Sequence, residues 1–139
     1  MGNSVFAVID TNVIVSALIS SNPESFPLMV MANVYSGAIT PVFNQEILKE
    51  YQEVLSRDKF HINPADIEKA LNVIRTYGLI LERTTVENEL FPDPKDIVFY
   101  EVKMSKEDAY LVTGNIKHFP KKPFVVTPRE MIEILLGKS

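Results

Sequence analysis

Short unbroken apolar runs alternate along this chain with stretches in which apolar side chains recur every three or four positions. Val5 to Ile9 is apolar and rich in β-branched residues, the pattern of a strand buried on both faces of a parallel sheet. It runs into Asp10-Thr11-Asn12, after which Val13, Ile14, Ala17 and Leu18 recur at helical spacing. A strand therefore delivers an acid into the turn that opens a helix.

The same reading continues downstream. A helix is expected from about Ser25 to Tyr35, stopped by Gly37, and a strand from Ala38 to Phe43. Asn44 is placed to cap a helix whose stripe is Ile47, Tyr51, Val54 and Leu55, with Glu46 and Glu50 off that stripe. Pro64 to Tyr77 reads as a helix ended near Gly78, followed by a short strand from Leu79 to Leu81. Glu82 to Phe91 is polar and irregular. Asp93-Pro94-Lys95-Asp96 has the form of a helix start, with the helix continuing to about Met104. Ala109 to Thr113 and Phe124 to Val126 are the last two strands, and Thr127-Pro128 opens a C-terminal helix carrying Met131, Ile134 and Leu135. This alternation predicts a three-layer α/β/α sandwich with a mainly parallel central sheet.

Length and composition narrow the class. The 139 residues suit a single domain spanning 1–139, with 46% hydrophobic and 23% charged residues, ordinary values for a globular protein. Without cysteine there is no disulfide, thiolate metal site or cysteine nucleophile, which fits a reducing cytoplasm. The first apolar run is too short for a secretory signal, and no stretch approaches the roughly 20 residues that cross a bilayer. The expectation is a soluble cytoplasmic protein without a membrane association. A formal net charge of −4 argues against holding nucleic acid by bulk electrostatics. It leaves room for an acidic site that meets phosphate through metal ions, with Lys117, Lys121, Lys122 and Arg129 as a basic rim.

In open parallel sheets the ligand crevice lies beyond the carboxyl ends of the strands. Asp10 and Asn12 follow the first strand and Thr113 and Asn115 the fourth, while Glu46 and Asp96 start helices whose N-termini face the same end. Each also has a plain structural role: Asp10 as a helix cap, Glu46 as an acid favoured by the helix dipole, Asn115 as a turn residue. Asp93 is either an N-cap or a second carboxylate of the site. His61 and His118 are lone histidines, most simply solvated or hydrogen-bonded.

Four blocks in order resemble the PIN-domain family: Val8-Ile9-Asp10-Thr11-Asn12-Val13, Gln45-Glu46-Ile47-Leu48-Lys49-Glu50-Tyr51, Asp93-Pro94-Lys95-Asp96, and Tyr110-Leu111-Val112-Thr113-Gly114-Asn115. The likeness is closest to the branch described as toxin components of toxin-antitoxin pairs. It implies a metal-dependent ribonuclease using Mg²⁺ or Mn²⁺, with Asp10, Glu46 and Asp96 as catalytic, metal-binding acids. Asn115 stands where the family often has a further aspartate and keeps a carbonyl oxygen for the metal. Asn12 resembles the asparagine that supports the ligands, and Thr113 the hydroxyl beside the site. Lys117 and His118 follow closely enough to contact RNA phosphates.

The residue types suit the chemistry, because hard cations prefer oxygen ligands and retain waters that they can activate. The resemblance also implies an RNA substrate and an antitoxin partner that covers the acidic cleft, while apolar helical stripes on a small α/β domain add the expectation of a homodimer. Met29, Val30 and Val34 are candidates for the dimer face, or for the monomer's own core. Haloacid-dehalogenase-type phosphotransferases and response-regulator receivers also place an acid at the end of a first strand, but the second aspartate of the former and the acidic pair and distal lysine of the latter are missing. The remaining alternative is a PIN-like module that binds RNA or protein and cleaves weakly, because Asn115 replaces an acid.

Overall fold

Ala7, Val8 and Ile9 are all fully buried. Successive residues of a strand point to opposite faces, so this requires cover on both sides of the sheet. They belong to β1 (Val5–Ile9), the central strand in the computed structural model, which describes residues 4–137. The remaining strands are β2 (Ile39–Phe43), β3 (Leu79–Ile80), β4 (Tyr110–Val112) and β5 (Val125–Val126). They pair in the order β3-β2-β1-β4-β5, and every pairing is parallel. The expected mainly parallel sheet is thus parallel throughout.

The helices are α1 (Thr11–Ile19), α2 (Phe26–Ser36), α3 (Gln45–Leu55), α4 (Pro64–Tyr77), α5 (Ile97–Lys103) and α6 (Pro128–Leu135). Helix α5 packs on β1, β2 and β4, while α2 packs on α1, α4, α6 and β2. The result is the three-layer α/β/α sandwich. The chain winds outward from β1 through β2 to β3, then returns to β4 on the other flank of β1. Connections leave β1 and β4 in opposite directions, and a crevice opens between their carboxyl ends.

Local chemistry explains most boundaries. Ser25, Asn44 and Asn63 each accept a backbone N–H in the first turn of the helix they cap. Thr127 and Glu130 complete a reciprocal capping box. Gly37 ends α2 in the left-handed region at φ 88°, with its N–H on the Val34 carbonyl.

One expectation changes, one turn appears that the sequence pattern does not predict, and one open alternative closes. The helix drawn from Asp93 to Met104 is a 3₁₀ turn, Pro94–Asp96, followed by α5. Pro94 lacks an N–H, Asp93 accepts from the Lys95 N–H, and the Asp96 N–H closes a tight bond to the Asp93 carbonyl. A further 3₁₀ turn, Asp58–Phe60, joins α3 to α4 and ends at His61 in the left-handed region. Lastly, Val30 and Val34 are buried within the monomer's own core and Met29 is packed against it, so these residues do not form a free dimer face.

Candidate active site

The crevice between β1 and β4 is held by hydrogen bonds that begin with the backbone. The Asp10 N–H donates to the Val112 carbonyl at 2.9 Å, bringing the two strand ends level. Asp10 occupies the cap position of α1 but makes no capping bond. Its Oδ2 instead accepts from Thr113 Oγ1 at 2.8 Å and Asn12 Nδ2 at 3.1 Å. Asn12 Oδ1 accepts the Gly114 N–H, and Thr113 Oγ1 accepts the Asn115 N–H. Thr113 and Asn12 therefore orient the carboxylate and stitch the two loops together.

Asp10 is 5% exposed. Desolvation, opposed by the Thr113 bond and reinforced by the charges of Asp96 and Glu50, pushes its pKa up to about 6. Asp96, with a side chain 13% exposed, is also raised, first by desolvation and then by Asp93. Its Oδ2 is buried without a hydrogen-bond partner. His118 Nδ1 lies 3.4 Å from that oxygen, an ion pair when the imidazole is protonated but not a completed hydrogen bond.

Asp10 and Asp96 share a cleft of about 390 Å³ with Glu50, Asp93, Asn115 and His118. Glu46 lies outside this cleft, on an adjoining hollow that shares Glu50, Asp93 and Asp96 with it. Its exposed carboxylate is gripped by Arg83 Nη1, 3.0 Å from each oxygen, and Arg83 also binds Glu101 at 2.7 Å. The acid that α3 sends inward is Glu50, one turn later, which accepts a hydrogen bond from Thr11 Oγ1. Tyr51 next to it is buried and donates its hydroxyl to the Ile9 carbonyl, fixing the rotation of α3 against β1. That buried tyrosine, one position after Glu50, was the available signal; Glu46 and Glu50 are four residues apart on one helix face, so spacing alone does not separate them.

The other expected residues fall into place around this centre. Asp93 uses Oδ1 as a cap and still lines the cleft. Asn115 is exposed at its rim and makes no side-chain capping bond. Lys117 is exposed and lies outside the carboxylate cleft, in an adjoining hollow of about 310 Å³ that it shares with His118. His61 faces another cavity, beside α4.

Among the described residues no three acidic or histidine side chains form a ready group around one ion. The donor set nevertheless suits a hard cation: it is all oxygen, and Asp96 Oδ2 is buried without a completed hydrogen bond, His118 Nδ1 standing 3.4 Å away. Mg²⁺ commonly takes one or two carboxylates and completes its shell with water and substrate phosphate.

The buried charge carries a stability cost. An acid whose folded pKa is raised contributes stability that is present below the unfolded value near 3.8 and lost as pH rises through about 6. For metal-free protein, Asp10→Asn is expected to stabilise the fold by up to about 3 kcal/mol at pH 8, with the gain vanishing toward pH 4. Urea unfolding of both proteins across that range checks it; a gain that does not change with pH would assign the effect to packing.

Neither the curated proteins nor the solved structures give a match to this chain. The family model described as PIN domain matches residues 7–117, from within β1 to beyond Asn115. PIN domains are generally nucleases, and with the greater part of its length matched, this chain belongs to the PIN-domain family.

Proposed function

We propose that the chain is a metal-dependent endoribonuclease in which Asp10, Glu50 and Asp96 hold Mg²⁺ or Mn²⁺ and Asn115 adds a neutral oxygen at the rim. The observation that carries this reading is Asp96 Oδ2, buried and without a hydrogen-bond partner in a cleft beside the buried Asp10. An acceptor left in that condition is costly unless a donor or a cation meets it. Bound metal would lower the pKa of a coordinated water and offset the charge that builds on the phosphate.

The chain's own groups then have defined tasks. Thr113 and Asn12 hold the Asp10 carboxylate by donating to Oδ2, and Thr11 holds Glu50. Such supporting bonds commonly govern metal affinity. The protons favoured by the raised pKa values of Asp10 and Asp96 must leave before the ion binds, so binding weakens as pH falls through about 6.

Purified protein incubated with mixed structured RNAs and Mn²⁺ is expected to cleave them, and EDTA or Asp10→Asn to lower the rate by about a hundredfold or more. RNA binding without cleavage would favour the weakly active module, a reading supported by Asn115 and by the lack of a ready three-ligand group among the described residues. The role as toxin of a toxin-antitoxin pair, with an antitoxin over the cleft, rests on the resemblance in the four sequence blocks. Induced expression is then expected to arrest growth with the intact protein and not with Asp10→Asn; equal growth would remove the toxin reading.

A further inference from the structure

The carboxylate cleft has an apolar wall that metal chemistry does not require. Val15 and Val54 line it together with Phe60, the last residue of the 3₁₀ turn between α3 and α4. Phe60 packs against the core yet stays part-exposed. Lys59 Nζ stands 5.1 Å from its ring centroid, so a cation from the solvent side reaches the aromatic face. Adjoining this wall is a second hollow, which shares Glu50, Val54, Asp93 and Asp96 with the cleft and adds Glu46 and Glu53 together with the cations Lys49, Arg57 and Lys95.

An aromatic face beside a set of basic side chains is the combination that binds single-stranded nucleic acid. The ring takes the flat face of a base, and the cations follow the phosphates. A cleft of about 390 Å³ lies at the small end of the range for ligand sites. It suits one unstacked base rather than a stacked, paired helix. We propose that Phe60 is the platform on which one base of a single-stranded RNA stacks, setting the neighbouring phosphate beside the cation that the carboxylates would hold, with Arg57 and Lys49 receiving the strand as it leaves.

The proposal deepens the ribonuclease reading and rests on it for the identity of the substrate. Its geometry gives Lys59 a second position: a base that takes the ring face releases the ammonium toward a phosphate. Specificity then comes from strand state, since a base already stacked in a duplex cannot reach the ring without unpairing.

The test measures binding of a mixed-sequence single-stranded RNA oligonucleotide by full-length protein carrying Asp10→Asn, so that cleavage does not intervene. Adding Phe60→Leu, which keeps an apolar side chain against the core, is expected to weaken binding about tenfold, and Phe60→Trp to restore it. Binding of the same sequence as a duplex should not change. Removing single bases from the oligonucleotide should reveal one position whose loss weakens binding about tenfold with Phe60 intact and has no further effect once Phe60→Leu is in place. Unchanged single-strand binding by Phe60→Leu, an equal loss for duplex, independent effects of base removal and Phe60→Leu, or no single-strand binding with Phe60 intact would each overturn the proposal. Metal-dependent cleavage by protein with Asp10 intact that is indifferent to Phe60→Leu would overturn this proposal and leave the carboxylate reading standing.

Discussion

Glu50→Gln is expected to lower metal-dependent RNA cleavage by about a hundredfold, and Glu46→Gln by less than about threefold. The two acids lie one helical turn apart and differ in what they meet. Glu50 lines the cleft with Asp10 and Asp96, and its charge contributes to raising the pKa of both. Removing it should therefore also bring the Asp10 pKa down from about 6, a shift that NMR titration can follow. Glu46 is exposed and bound to Arg83, which retains Glu101 as a partner after the change. An exposed ion pair of this kind is worth little. A larger kinetic loss for Glu46→Gln than for Glu50→Gln would sink the assignment and return α3's metal-binding role to Glu46.

Most of the fold was legible because apolar periodicity and capping residues agree locally. The run Val5 to Ile9, the glycine at Gly37 and the Thr127-Pro128 start each depend on neighbouring residues alone. The first half of the candidate site was legible for a related reason. Asp10 and Thr113 lie at the ends of strands, and a parallel sheet brings such ends to one edge. The second half depended on where each turn of α3 lies against the rest of the fold, which is set by contacts distant in sequence: Tyr51 reaching Ile9 and Arg83 reaching Glu46 and Glu101. The position of Phe60 at the cleft is not legible in the sequence, because a three-residue turn has no period. The start of α5 was misplaced because Asp93 and Pro94 begin a 3₁₀ turn as readily as an α-helix.

Gly78→Ala is expected to destabilise the fold by about 3 kcal/mol, moving the thermal midpoint down by roughly 10 °C. At φ −78° and ψ 169° the backbone there is open to any residue, so conformational freedom is not the reason. The reason is space. A Cβ would fall 2.3 Å from the Ile74 carbonyl oxygen, 2.8 Å from that of Pro41 and 2.9 Å from Phe43 Cε1. Two of these are backbone atoms in α4 and β2, and neither can step aside without moving its element. Gly37→Ala is the comparison: its Cβ would meet nothing within 4 Å, and the cost is the left-handed conformation, about 1 kcal/mol. Urea midpoints of the two variants should differ accordingly. An equal loss at both positions would mean that α4 and β2 separate easily, and the clash argument would fail.

The sheet tapers from five residues in β1 and β2 to two in each outer strand, β3 and β5. Outer strands leave backbone donors and acceptors unpaired, and a long straight edge acts as a template on which another chain can add a strand. Two residues present almost no such template. The fold thereby guards itself against aggregation through its sheet edges, even though Ile80 in β3 is half exposed. Lengthening β3 into the polar segment that follows would remove that protection without touching a single residue of the cleft.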